Sequence, residues 1–324
     1  MQRKFIVLAL AVAAILMFNA PLPAYDRETG KPAIVLAAFG TTEVEALDSF
    51  TNILAQVEKA FPDYEVRLAF TSNIIRNIWH KRAQDAAFKK ANPKIDQRFY
   101  NIGNVFTELA EIQERGADIV LVQSLHVTDG EEFEDVLNLI NSLKGIKTFQ
   151  PSLAPLPWIG VGEPALGTGD GQTAYVTRAA KALGPLAEAA KAQNAALVLM
   201  GHGNEHLTQT VFGKLQKSLR DTYGPQIYIG TVEASPKAED VVAELAKSAD
   251  KPKKVLLAPM MIVAGDHARN DMAGDEEDSW ASLLKAAGFD VESRLAGLGL
   301  NNDWVNIYIE HLKSLEPKVK ALKK

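Results

Sequence analysis

The stretch "AIVLAAFGTT" beginning at Ala33 is matched by "ALVLMGHGNE" beginning at Ala196. The match is not isolated. "VRLAFTS" (66–72) pairs with "IYIGTVE" (227–233), and "IVLVQSLHV" (119–127) pairs with "VLLAPMMIV" (255–263), in the same order. Such self-similarity is the mark of an internal duplication. Between the short apolar runs lie stretches of helical periodicity, among them "EVEALDSFTNILAQVEKAF" (43–61) and "EEFEDVLNLINSLKG" (131–145). Strand-like runs alternating with helices argue for parallel sheets joined by crossover helices. The expected fold is therefore α/β: two similar domains, each a parallel sheet flanked by helices, with the site in the cleft between them. The expected boundaries are 32–160 for the first domain, 161–194 for a junction and 195–324 for the second. The Pro/Gly-rich "PSLAPLPWIGVGEPALGTGDGQ" (151–172) interrupts the pattern as a linker or junction loop, and its Trp158 is a candidate cleft residue.

At 324 residues the chain has length for two domains, and 47% hydrophobic residues suffice for two cores. The net charge of −5 comes without a Lys/Arg-rich patch, which argues against nucleic acid as the main partner. There is no cysteine, so neither a disulfide framework nor a cysteine-linked lipid anchor is available. The beginning of the chain has the layout of a secretory leader. "MQRK" is basic, "FIVLALAVAAILMF" (5–18) is apolar and "NAPLPA" ends in a small residue at Ala24. The apolar run is short for a bilayer span, which takes about 20 residues. Cleavage of 1–24 and a periplasmic location are expected, with no membrane insertion afterwards.

In open parallel sheets ligands bind beyond the carboxyl ends of the strands. In the second half, "GHG" places His202 there, "TVEASP" places Glu233 and "AGDH" places His267. The corresponding places in the first half hold Phe39, Ser72 and the region of His126. Two imidazoles and a carboxylate suit a borderline divalent ion, and three protein ligands leave coordination positions open. Each residue alone reads equally well as an ordinary loop residue; their joint occurrence at equivalent ends favours a metal site. Asp266 is a candidate orienting partner for His267. His206 follows His202 by one helical turn and faces either the cleft or solvent. His126 reads as a capping histidine, or as a cleft-facing proton shuttle or axial ligand. His80 and His311 read as helix-surface residues. Asp271, Asp275, Glu276, Glu277 and Asp278 read as the acidic first turn of a helix, or as an acidic approach that concentrates cations.

"FGTT", "AFTSNIIR", "VQSLHVTDGEEFE", "GHGNEH", "GTVEASP" and above all "VAGDHARNDMAGDEEDSW" resemble the anaerobic, class II sirohydrochlorin cobaltochelatase family, CbiK. The resemblance runs from about Pro32 to about Leu315. It implies two similar α/β domains with a tetrapyrrole between them, insertion of Co²⁺ and, as another metal, Fe²⁺. It implies that His202, Glu233 and His267 hold the metal and act in catalysis. Phe39, Ser72, Arg76, His126, His206 and Arg269 are then candidate substrate-binding residues, the two arginines for the substrate's carboxylates. The leader departs from the mostly cytoplasmic family pattern and resembles its periplasmic variant. The stretch 146–175 is also longer than the pattern. A homo-oligomer is expected. The competing reading is a periplasmic haem- or metal-binding protein on a chelatase scaffold, with His126 or His80 as haem ligand. A two-lobed solute-binding protein is a third, but it leaves the His/Glu/His set unexplained.

Overall fold

The computed structural model describes residues 30–149, 155–169, 172–204, 210–248 and 252–322. The leader at 1–24 and His206 lie outside the described residues. The first half runs β1 (Ala33–Ala38), α1 (Leu47–Ala60), β2 (Glu65–Phe70), α2 (Asn73–Gln84), α3 (Ala86–Ala91), α4 (Gln97–Tyr100), α5 (Val105–Glu114), β3 (Ile119–Ser124), α6 (Glu131–Lys144) and β4 (Trp158–Gly162). The second continues with α7 (Gln172–Ala192), β5 (Ala195–Gly201), α8 (Thr210–Tyr223), β6 (Ile227–Thr231), α9 (Ala238–Ala246), β7 (Lys254–Pro259), a π-helical turn at Ala268–Met272, α10 (Trp280–Ala286), β8 (Asp290–Ser293), a 3₁₀ turn at Leu298–Leu300 and α11 (Asn302–Leu322).

The duplication is realised strand for strand. One sheet has the order β2-β1-β3-β4 and the other β6-β5-β7-β8, and every neighbouring pair is parallel. The central strands β1 and β5 are buried at every position, as continuous apolar runs covered on both faces must be. Each is followed by a glycine at positive φ, Gly40 (109°) and Gly203 (88°). A Cβ at either would come within 2.8 Å of the neighbouring strand's side chains, of Phe70 and Thr231 respectively. Only glycine allows the chain to turn away so sharply there.

The boundaries differ from the expected ones. Residues 161–162 finish β4 in the first sheet, and most of the expected junction is the long helix α7. Its Val176, Ala179, Leu183 and Ala187 are buried in a core that spans both halves, with Ile34, Leu36 and Phe50 from one side and Leu197, Leu199 and Phe212 from the other. Trp158 opens β4 and packs against that core. The C-terminal helix α11 does not stay with the second sheet. It packs on β3 and β4, where Gly160 leaves room for Leu315 and Val319. An apolar face on α11, including Trp304, Tyr308 and Leu312, is what the first sheet needs to cover its open side. Among the described residues no helix is long and apolar enough to cross a membrane.

Candidate metal site

Parallel pairing continues past the ends of β5 and β6. The Val232 amide donates to the Gly201 carbonyl (3.0 Å) and the Glu233 amide to the His202 carbonyl (2.9 Å), which sets His202 and Glu233 side by side. The first half repeats this with Thr71 to Ala38 (2.7 Å) and Ser72 to Phe39 (3.2 Å). Phe39 and Ser72 are thus the register counterparts of His202 and Glu233. The third correspondence is different from the expected one. The Leu125 amide donates to Ala37 and the Met260 amide to Met200, so His126 is the counterpart of Met261, not of His267. His267 arrives later, at the entry to the π-helical turn. The third candidate ligand of the second half therefore comes from the loop after β7 and not from the strand end itself.

His202, Glu233 and His267 each offer one ligand atom, and these atoms all lie within 4.8 Å of one another. The two imidazole rings stand edge to face, 4.9 Å apart at 81°. His202 Nδ1 is 3.5 Å from Glu233 Oε2 and 3.0 Å from the Gly203 carbonyl oxygen. His267 Nδ1 is 2.5 Å from Asp271 Oδ2, a close contact that fixes the ring and leaves Nε2 for an ion. The three side chains are 37%, 44% and 38% exposed, so an ion reaches them from solvent without rearrangement. Two nitrogens and one oxygen with open positions suit Co, Ni, Zn or Fe as divalent ions.

The cluster borders a cavity of about 450 Å³ between the two halves. Phe39, Thr41, Ile74, His126 and Glu132 line it from the first half; His202, Met260, Ile262 and His267 line it from the second. Phe39 and Ile74 stay 49% and 74% exposed and form an apolar platform on the cavity wall. His126 is half-buried, and its Nδ1 lies 2.8 Å from Ser124 Oγ. Burial, helped by nearby His202 and opposed by the Glu132 carboxylate, pushes its pKa down to about 4. The ring is neutral at neutral pH. Tyr308 on α11 points its hydroxyl at the carbonyls of Leu125 (3.0 Å) and His126 (3.2 Å), tying this wall to the C-terminal helix.

Several expected residues do other work. Ser72 caps α2, accepting from the Ile75 amide at 3.4 Å, and does not line the cavity. Arg76 is buried and turned away: it donates to the Phe70 (2.5 Å) and Thr71 (2.8 Å) carbonyls and to the Asn73 side chain. Burial lowers its pKa, and its charge serves the strand end. Arg269 bridges to the first half through Glu43 (3.5 Å) and Glu45 (3.3 Å) rather than entering the cavity. Among the described lining residues none is Lys or Arg. Asp266 accepts from the Asn270 amide group at 2.8 Å; Asp271, not Asp266, orients His267. His80 is exposed and bonds the Ile102 carbonyl at 2.9 Å, away from the cavity. His311 is not a surface residue: it is buried, edge-on to Tyr175 and 2.8 Å from the Glu163 carbonyl. Asp275, Glu276, Glu277 and Asp278 are exposed just before Ser279, which caps α10. Asp271 carried a readable signal, its spacing four residues after His267; Glu132 and Tyr308 carried none.

Fold and site together define a two-lobed α/β protein whose candidate three-ligand metal site faces a largely apolar cavity. The family model of cobalt chelatase (CbiK) matches residues 32–316. The sirohydrochlorin cobaltochelatase CbiKC of Nitratidesulfovibrio vulgaris Hildenborough is 31% identical over 283 residues, covering 87% of this chain and 89% of the relative. The sirohydrochlorin cobaltochelatase of Salmonella typhimurium LT2 is 27% identical over 285 residues, covering 87% and 95%. Solved structures share the fold. SirB from Bacillus subtilis with Fe³⁺ has a TM-score of 0.54 at 14% identity, over 88% of this chain and 95% of that one. SirB from the subspecies spizizenii in complex with cobalt has a TM-score of 0.52 at 12% identity, with the same coverage. The chain belongs to the cobalt chelatase (CbiK) family and is a metal chelatase.

Proposed function

We propose that this protein inserts Co²⁺ into a sirohydrochlorin-type tetrapyrrole, releasing two protons. The observation that carries this is the cluster of His202, Glu233 and His267, half-exposed at the wall of a cavity shared by both halves. The names of the two curated relatives support the substrate. Fe²⁺ fits the same donor set, since imidazole and carboxylate do not distinguish the two ions.

The macrocycle lies on the apolar platform of Phe39 and Ile74, with its nitrogens toward the three ligands. The ion is held by few ligands and loosely enough to leave. As it moves to the macrocycle, two N–H protons must depart. Glu233, released from the ion, and the cavity-lining Glu132 and Asp266 are carboxylates placed to receive them. Among the described lining residues none is cationic, and the substrate's carboxylates project toward solvent at the open side. The leader at 1–24 supports export to the periplasm.

The test uses the chain from about Tyr25 onward, mixed anaerobically with sirohydrochlorin and Co²⁺, with metalation followed by absorbance against a no-enzyme control. Acceleration that is lost in His202→Ala is the expected result. Equal rates with and without the protein would overturn the reading.

A further inference from the structure

His126 is the one imidazole on the cavity wall outside the metal cluster among the described residues, and the step described above gives it no role. Its hydrogen bonding favours one of the two nitrogens as the place of the proton. Ser124 is fully buried, and its hydroxyl already accepts from the His126 backbone amide at 3.3 Å. Among the described residues the acceptor within its reach is His126 Nδ1, at 2.8 Å. A hydroxyl has a single proton to give. Ser124 therefore donates to Nδ1, and the proton of the neutral ring sits on Nε2. That nitrogen is closed to solvent and has no hydrogen-bond partner. An orphaned buried donor costs roughly 1–3 kcal/mol, and such groups in folded proteins call for an explanation. The backbone cannot yield easily to relieve it, because the Tyr308 hydroxyl of α11 lies against the Leu125 and His126 carbonyls, on either side of the His126 Cα.

The geometry points to His126 as a specificity-determining residue of the chelatase site: a hydrogen-bond donor, locked by Ser124 in the Nε2–H tautomer, that takes an acceptor atom of the bound tetrapyrrole. It is then neither a fourth metal ligand nor the acceptor of pyrrole protons, since both roles require a bare Nε2. The ring lines the cavity wall, where a bound acceptor meets it. This inference rests on the tetrapyrrole reading for the identity of the acceptor, but not for the tautomer. The acceptor is a lone pair of either a ring nitrogen or a side-chain carboxylate.

Long-range ¹H–¹⁵N correlation of the histidine side chains at neutral pH reads the tautomer directly and needs no ligand. An Nε2–H pattern for His126 that is lost in Ser124→Ala is expected; an Nδ1–H pattern in the unaltered protein overturns the inference, whatever the enzyme does. Tetrapyrrole binding is followed by fluorescence quenching, which needs no turnover. His126→Leu should weaken it about tenfold, the value of one hydrogen bond to a buried group. His126→Gln, whose amide nitrogen reaches the place of Nε2, should restore most of the loss. Co²⁺ binding by the protein alone should be unchanged in both variants. Loss of Co²⁺ binding in His126→Leu would make the residue a metal ligand, and Leu and Gln variants that bind tetrapyrrole alike would remove the donor role. If the effect of His126→Leu shrinks with the esterified tetrapyrrole, the acceptor is a carboxylate; if it persists, a ring nitrogen. Failure of the unaltered protein to metalate sirohydrochlorin refutes the proposed function and leaves the tautomer result standing.

Discussion

The Asp271 carboxylate should govern how tightly the site holds its ion, and two substitutions separate its two contributions. It lies 2.5 Å from His267 Nδ1, so it both accepts the ring proton and places a negative charge behind the ligand. Asp271→Asn keeps an oxygen acceptor and removes the charge. The difference between a charge-assisted and a neutral hydrogen bond is about 1 kcal/mol, or roughly fivefold in Co²⁺ affinity. Asp271→Ala removes the acceptor as well and frees the ring to rotate. Loss of such an orienting partner costs about 10–100-fold. Both side chains are near 40% exposed (38% and 44%), so solvent screens the charge and the lower end of that range applies, about tenfold. The order expected is wild type, then Asn, then Ala. The assay is anaerobic Co²⁺ titration of the tetrapyrrole-free protein, by its visible absorption, with circular dichroism and Tm showing that the fold is retained. Wild-type affinity in Asp271→Ala would refute the reasoning, because His267 would then need no orientation. A larger loss in Asn than in Ala would show that the amide itself disrupts the turn.

Three further outcomes are expected. Glu233→Gln should reduce Co²⁺ affinity at least tenfold while leaving Tm within about 1 °C, because the residue is exposed and its side chain's 3.5 Å approach to His202 Nδ1 is open to solvent; calorimetric titration and a thermal melt check the pair. Arg76→Met should lower unfolding free energy by about 2–3 kcal/mol in denaturant titration and leave tetrapyrrole binding intact, since its guanidinium serves the Phe70 and Thr71 carbonyls and not the cavity. Stability should also fall with acid between pH 6.5 and about 4: in that window the unfolded chain protonates His126 while the folded ring refuses the proton, so the stability present above 6.5 is lost as the pH drops through it, by up to about 3 kcal/mol. Urea midpoints across that range should show a slope that flattens in His126→Leu, and an unchanged slope would contradict the assignment.

Much of the architecture was legible before any coordinates. The strand-like runs at Ala33, Val66, Ile119, Ala196, Ile227 and Val255 all became parallel strands, and the duplication predicted their matching order. His202 and Glu233 could be singled out because parallel strands deliver their C-terminal residues to one edge; His267 follows β7 only through a loop, and the three side chains lie close together. Ser72, Arg76 and Arg269 also follow strand ends, yet they turn to a helix amide, to backbone carbonyls and to glutamates of the other half. Position after a strand limits where a side chain begins, not where it points.

The local code thus determined the periodicities, the two sheets and the strand ends from which ligands come, because these depend on residues close together in the chain. Tertiary structure decided the rest. It set α11 of the second half over the first sheet and merged the two cores through α7. It chose Asp271 over Asp266 for His267, and it placed His126 against Ser124 and Tyr308 on the cavity wall. Each of these depends on contacts between distant segments or on the path of an irregular loop. Competition for buried surface and for hydrogen-bond partners settles such choices only once the whole chain is packed.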